Sequence, residues 1–221
     1  MSGLFISLEG VEGCGKSTQA ELLAQWLEER GHAVERAREP GGTPVGEAIR
    51  NILLDPENSA MVPRAELLLY EAARAQHVAE RIRPALERGA IVVCDRFTDS
   101  TTAYQGAGRG LGREVIEELH AVAAEGLKPD LTVLIDLPVA EGLARAARVK
   151  ARDRIEHEAA AFHERVRQAF LEGASREPAR VKIVDGLAPL EQVRDAIRAQ
   201  VGPFLASREL LSNTDGMTPP A

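Results

Sequence analysis

The chain has 221 residues, 44% of them hydrophobic, with 27 Lys+Arg against 34 Asp+Glu for a net charge of −7. This composition supports a sizeable core and excludes global disorder, and the acidic balance excludes a general nucleic-acid coat. Apolar runs reach only about five residues, as in Ala90 to Cys94, whereas a membrane-spanning helix needs ~20.

Two cysteines make no disulfide framework, and Met1 to Phe5 lacks the basic, apolar character of a leader, so the expected compartment is the reducing cytoplasm. Leu4 to Leu8 is a short apolar run typical of a buried strand, followed at once by a glycine-rich turn. Ser17 to Arg30 carries helical spacing (Ala20, Leu23, Ala24, Leu27) and stops at Gly31. A weaker strand follows at Ala33 to Ala37, then a helix at Pro44 to Leu54. A long helix is predicted from Pro63, a favourable first-turn proline, through Arg83; Pro84 kinks it or begins a separate turn. Ala90 to Cys94, Leu131 to Ile135 and Val181 to Val184 are the remaining strands, with helices at 112–125, 139–149, 155–173 and 189–205. Strand and helix alternate throughout, which predicts an α/β fold: a parallel sheet covered by helices on both faces. No linker divides the chain, so one domain is expected over 1–206 and a flexible tail over 207–221.

Gly10-Val11-Glu12-Gly13-Cys14-Gly15-Lys16-Ser17 fits G-x-x-x-x-G-K-[ST], the P-loop, between a predicted strand and a predicted helix. Such a turn converges backbone N–H groups on an anion, and the helix that follows adds its positive end. Lys16 then reaches the β- and γ-phosphates, and the Ser17 hydroxyl is a Mg²⁺ ligand. The nucleoside triphosphate set is therefore Gly10, Val11, Glu12, Gly13, Cys14, Gly15, Lys16, Ser17 and Thr18. The sequence has neither the Asn-Lys-x-Asp guanine motif of GTPases nor the Leu-Ser-Gly-Gly-Gln stretch of transporter ATPases. Asp95-Arg96 follows the Ala90 to Cys94 strand, on the sheet edge where ligands gather. An arginine there suits a second phosphate through its bidentate fork.

Further segments join these. Arg38-Glu39-Pro40-Gly41-Gly42-Thr43 follows the second strand; Tyr70 and Arg74 stand at i and i+4 on one helix face; Ser100-Thr101-Thr102-Ala103-Tyr104-Gln105-Gly106 and Asp153-Arg154-Ile155-Glu156 come later. In this order and spacing the chain resembles thymidylate kinases of the bacterial branch, over about residues 3–205.

The resemblance implies a P-loop kinase three-layer sandwich with a five-stranded sheet. It implies transfer of the γ-phosphoryl of ATP to dTMP, with Mg²⁺, in dTTP synthesis for DNA replication. By resemblance Lys16 and the loop amides hold the donor, Arg96 bridges donor and acceptor phosphates, and Asp95 organises it or the metal shell. Ser17 and Asp95 serve the metal, with Glu156 assisting through water, and Glu12 lies near the acceptor sugar. Tyr70 lies against thymine, Arg74 donates to its carbonyl, and Ser100, Thr101 and Gln105 read the remaining base edge. Tyr104 closes over the deoxyribose, and Arg50 is a further acceptor-site candidate.

A lid is expected over about 145–156. Gly13 holds the position where another branch carries an arginine for the γ-phosphate, so a lid cation does that work here: Arg148 first, then Lys150 and Arg152. Arg154 is expected to anchor the lid to Asp153 or Glu156. Cys14 and Cys94 are read as small buried residues, and the five histidines show no metal-ligand spacing. The partners expected are ATP, dTMP and a second copy of the chain, with no nucleic acid and no membrane. Two rivals stay open: a deoxynucleoside kinase, whose acceptor is uncharged, and a non-catalytic P-loop switch, against which stand Lys16, Ser17, Asp95 and Arg96.

Overall fold

The computed structural model describes residues 3–148 and 153–214, with side chains through residue 206. Five strands form one parallel sheet in the order β2-β3-β1-β4-β5: β1 (Leu4–Glu9), β2 (Val34–Arg38), β3 (Ile91–Asp95), β4 (Leu131–Asp136) and β5 (Val181–Asp185). Every residue of β1 is buried, which is why its apolar run is continuous rather than alternating. Its side chains still divide by period two. Leu4, Ile6 and Leu8 join the larger core with Leu23, Leu27, Ile197 and Val201, while Phe5 joins Val92, Cys94, Val78, Ile82 and Phe97 on the other side. Phe5 and Phe97 meet edge to face at 4.8 Å. Each such fully buried side chain contributes on the order of 1.5–3 kcal/mol.

The helices are α1 (Lys16–Glu28), α2 (Pro44–Leu54), α3 (Pro63–His77), α4 (Arg83–Glu87), α5 (Thr98–Thr101), α6 (Arg113–Ala123), α7 (Val139–Ala146), α8 (Ala160–Arg176) and α9 (Leu190–Thr214). Thr43 caps α2, its hydroxyl accepting from the Gly46 amide at 3.0 Å, and Pro44 fills the first turn.

Several elements depart from the periodic reading, each for a physical reason. The long helix predicted to Arg83 ends at His77, and a π-turn over Val78–Ile82 leads into α4. Pro84 has no N–H and falls in the first turn of α4, where none is needed. The helix predicted from 155 begins at Ala160, because the Asp153 carboxylate takes the amides of Ile155 (3.1 Å) and Glu156 (3.0 Å) into a turn. A π-helical stretch, Thr102–Gly108, continues α5. α9 runs through Pro203 to Thr214, so the tail expected from 207 begins as helix, and 215–221 lie outside the described residues.

The sheet order reverses around β1, which pairs with β3 on one side and β4 on the other. The crevice beyond the carboxyl ends of β1 and β3 is therefore the topological switch point. Both the P-loop and Asp95-Arg96 open into it.

Candidate active site

A cavity of about 400 Å³ lies in that crevice. Its walls include Glu12, Lys16, Ser17 and Thr18 on one side and Arg50, Tyr70, Arg74, Ser100, Thr101, Tyr104 and Gln105 on the other, with Asp95 and Arg96 between.

On the donor side α1 begins directly after Gly15, so the loop feeds the helix N-terminus. Lys16 is buried, and its Nζ donates to the Val11 carbonyl at 3.2 Å and lies 4.0 Å from the Cys14 Sγ. The Ser17 hydroxyl donates to Asp95 Oδ2, while Asp95 Oδ1 is buried with no hydrogen-bond partner. Both cysteines are buried and free, and burial pushes the Cys94 thiol well up.

Arg96 stands between the P-loop and the wall formed by Tyr70, Arg74, Ser100 and Tyr104. Its backbone is left-handed (φ 73°), an uncommon conformation for a residue other than glycine. Nη1 donates to the Gly10 carbonyl (3.0 Å) and to Ser100 Oγ (2.9 Å); Nη2 donates to Tyr104 Oη (3.1 Å) and Glu12 Oε1 (3.3 Å). The guanidinium also lies 4.9 Å from the centre of the Tyr104 ring. Burial alone would lower its pKa, but Tyr104 and the carboxylates of Glu12, Asp95 and Glu9 hold it above the ordinary arginine value.

Glu12 accepts from Tyr104 Oη at 2.6 Å. Burial would raise its carboxyl, yet His163, Arg96, Lys16 and Tyr104 together bring it down to about 2, so it is ionised in the site.

Glu9 is the opposite case. It accepts from the Phe97 amide (2.7 Å) and Ser100 Oγ (2.5 Å), and full burial, with Asp99 nearby, pushes its carboxyl up to about 8. Above the unfolded value of 4.5 the unfolded chain gives up this proton while the folded chain keeps it until about 8. The group therefore lowers stability as pH rises across that window. Glu9→Gln, which mimics the protonated acid, is expected to bring the urea midpoints at pH 5 and pH 9 closer together than in the parent. An unchanged gap would show that Glu9 titrates alike in both states.

On the acceptor side Tyr70 and Arg74 do share a face of α3 and line the cavity. Burial pushes the Tyr70 phenol up. Arg74 is 2% exposed and more committed than a free base reader: Nε donates to Glu39 Oε2 (2.8 Å), Nη1 to Glu71 Oε1 (2.5 Å), and it covers the Phe97 ring at 5.1 Å. Arg50 donates to the Pro40 carbonyl at 2.9 Å. Gln105 Nε2 donates to Glu66 Oε1 at 2.8 Å.

Glu66 escaped the sequence reading. It is fully buried on α3 and gathers Gln105, Arg109 and Arg154. Burial would raise its carboxyl, but Arg109 and Gln105 hold it below the ordinary range. Arg154 was expected to bind Asp153 or Glu156; instead Nη1 pairs with Glu66 (2.6 Å) and Nε donates to the Leu53 carbonyl (2.7 Å). Two buried acceptors distant in the chain outcompete the neighbours in sequence. Arg38, Glu39, Phe97 and Arg145 also line the cavity and had been given no role. In the sequence Arg38 and Glu39 were visible only as part of a motif.

Of the lid candidates, Lys150 and Arg152 lie outside the described residues, and Arg148 is exposed beyond the end of α7. Arg145 lines the cavity, held by Glu141 (2.8 Å) and the Gly186 carbonyl (3.0 Å). Glu156 lines it too, accepting from the Asp153 amide at 3.2 Å. Among the described residues no group of three or more His, Cys, Asp or Glu could hold a metal ion, and no helix is long and apolar enough to cross a membrane.

The donor loop, the Asp95-Arg96 pair and the aromatic acceptor wall thus meet in one cavity, and the family model described as thymidylate kinase matches residues 8–197. The chain belongs to the thymidylate kinase family. A thymidylate kinase from Geobacter sulfurreducens is 56% identical over 201 residues, covering 88% of this chain and 94% of that one. One from Pseudomonas entomophila is 56% identical over 199 residues, covering 90% and 95%. The crystal structure of thymidylate kinase from Ehrlichia chaffeensis superimposes with a TM-score of 0.74 at 32% identity, covering 91% of this chain and 99% of that one.

Within this member of the family, Gly13 has a steric role besides its positive φ. A Cβ at Gly13 would stand 2.0 Å from the Gly142 carbonyl oxygen, and one at Gly142 would stand 2.3 Å from the Glu12 carbonyl oxygen. The P-loop and α7 are thus packed backbone to backbone, which docks the helix against the loop. Gly142→Ala must push the loop away, and kcat/KM for ATP is expected to fall by about 10²-fold, the scale of an ångström misplacement. Parental kcat/KM in this variant would show that the loop tolerates the shift.

Proposed function

We propose that this chain transfers the γ-phosphoryl group of ATP to dTMP, giving dTDP and ADP. The observation that carries this reading is the position of one guanidinium: Arg96 holds the Gly10 carbonyl and the Glu12 carboxylate of the P-loop and, on the facing wall, the Tyr104 hydroxyl.

Phosphoryl transfer asks for alignment and charge neutralisation rather than covalent catalysis by the protein. Lys16 and the amides that open α1 hold the β- and γ-phosphates. Arg96 meets the acceptor phosphate and the moving phosphoryl together, so an acceptor oxygen attacks phosphorus in line as the bond to ADP breaks. Arg145 adds positive charge at the cavity wall. The Ser17 hydroxyl and the unpartnered Asp95 Oδ1 fit a Mg²⁺ ion carried by the nucleotide and would hold it. When bound, that ion neutralises charge on the phosphate oxygens.

Tyr70 and Phe97 flank the base, Arg74 and Gln105 read its edge, and Tyr104, pinned by Glu12 and Arg96, closes over the deoxyribose. A homodimer belongs to the same reading, formed where Leu68 of α3 and Val115 and Val122 of α6 stand exposed. So does a cytoplasmic location.

A coupled assay of ADP release tests the activity with dTMP, dUMP, the ribonucleotide of thymine and thymidine as acceptors. dTMP is expected to give the highest kcat/KM and thymidine none. Phosphorylation of thymidine in preference to dTMP would make the chain a deoxynucleoside kinase. ATP binding without ADP release for any acceptor would make it a binding module.

A further inference from the structure

His163 belongs to none of the motifs and to none of the roles assigned above. It sits on α8 and is fully buried, edge-on to Phe162 at 5.3 Å. Both of its ring nitrogens lack a hydrogen-bond partner, and so does Oε2 of Glu12. These orphans lie beside one another: Nδ1 of His163 is 3.2 Å from Glu12 Oε2, so a small turn of either side chain aligns them. A phenylalanine would fill the same space without stranding polar atoms in the core, so the imidazole costs stability unless its nitrogen is used.

We infer that His163 is the positioning residue for Glu12, donating an Nδ1 proton to Oε2 so that Oε1 is left to Tyr104 and Arg96. The inference rests on the reading of Glu12 as a group of the acceptor site.

The buried polar atoms select the ring with its single proton on Nδ1. Glu12 already faces Lys16 of α1, Arg96 after β3 and the Tyr104 hydroxyl of the stretch after α5. A proton on Nε2 would be buried with no acceptor. A neutral Nδ1–H satisfies Oε2 and leaves only a lone pair unpaired. Without that donor the carboxylate keeps its bonds on one oxygen only and is free to turn about its terminal torsion, carrying Tyr104 with it. The α8 packing supports the same wall, since the Phe162 and Phe170 rings lie 6.2 and 6.1 Å from Tyr104.

The test uses His163→Phe and His163→Gln in the full chain, with kcat and both KM values measured. His163→Phe is expected to raise the KM for dTMP about 10-fold while the KM for ATP stays within about 2-fold. His163→Gln, which keeps an N–H near the same place, restores the KM for dTMP most of the way. A His163→Phe enzyme with the parental KM for dTMP would overturn the proposal, and so would an equal loss in both variants.

Side-chain ¹⁵N NMR supplies a readout independent of turnover. The Nδ1–H tautomer, with a signal that shifts in Glu12→Gln, supports the proposal; an Nε2–H tautomer indifferent to that change overturns it. If Glu12→Gln moves the His163 signal but leaves the KM for dTMP at the parental value, the acceptor role of Glu12 is what fails. That result removes the positioning function and leaves a structural hydrogen bond.

Discussion

Arg96→Ala is expected to lower kcat by about 10³-fold or more, within the range that a single arginine supplies to phosphoryl transfer. The side chain makes four hydrogen bonds and is only 17% exposed, so its charge acts at reduced dielectric. Its removal takes away the cation facing the transferred group and also leaves Glu12 Oε1 with Tyr104 alone. Arg96→Lys is expected to recover little, because an ammonium on a flexible stem cannot serve both sides of the cavity as a planar fork does. Lys16→Ala should act on the donor side with a loss of similar order. Steady-state kinetics with both substrates varied checks this. Near-parental kcat in a folded Arg96→Ala enzyme would mean that the arginine holds the loop and takes no part in transfer.

The second large effect is on stability. Arg74 is buried between Glu39 and Glu71, whose side chains are 4% and 5% exposed. Burial alone would lower its pKa; the two carboxylates hold it above the ordinary arginine value. Arg74→Ala leaves two carboxylates in the interior without their cation, a loss of about 3–5 kcal/mol. His77 lies 3.2 Å from Glu39 and His120 3.4 Å from Glu71, so each carboxylate keeps an imidazole beside it. Urea unfolding measures the loss, and calorimetry of dTMP in the same variant measures recognition separately. A variant as stable as the parent, with dTMP affinity reduced, would show that the ion pairs of Arg74 carry no net energy and that its role is recognition alone.

The contrast between Arg74 and Arg96 shows what the amino-acid sequence discloses and what it withholds. The P-loop, the Asp95-Arg96 pair and the i, i+4 relation of Tyr70 and Arg74 are local patterns. Each points at one sheet edge or one helix face, and alternating periods are enough to find that edge. The parallel sheet was legible for the same reason, since Leu4 to Leu8 and Ala90 to Cys94 are continuous apolar runs that only a doubly covered strand needs.

Long-range polar pairing was not legible. Glu9, Glu66 and His163 look like ordinary residues at a strand end and on two helices. Their meaning comes from Ser100, Arg154 and Glu12, 91, 88 and 151 positions away in the chain. Arg154 was assigned to its sequence neighbours for want of that information. The start of α8 was misplaced because one side chain, Asp153, captured amides that periodicity assigns to a helix. Gly142 carried no signal at all: its contact with Glu12 exists only once α7 is docked.

The single measurement that bears most directly on the site is calorimetric binding of an analogue in which adenosine and thymidine are joined by five phosphates. With donor and acceptor phosphates meeting at Arg96, the parent chain should bind it at least about 10²-fold more tightly than either ADP or dTMP, the gain expected when two linked groups fill adjoining subsites. Arg96→Ala should lose most of that gain while its affinity for ADP stays within a few-fold. Binding to the parent no tighter than that of ADP alone would contradict a shared cavity, and an unchanged gain in Arg96→Ala would contradict the bridging role of the arginine.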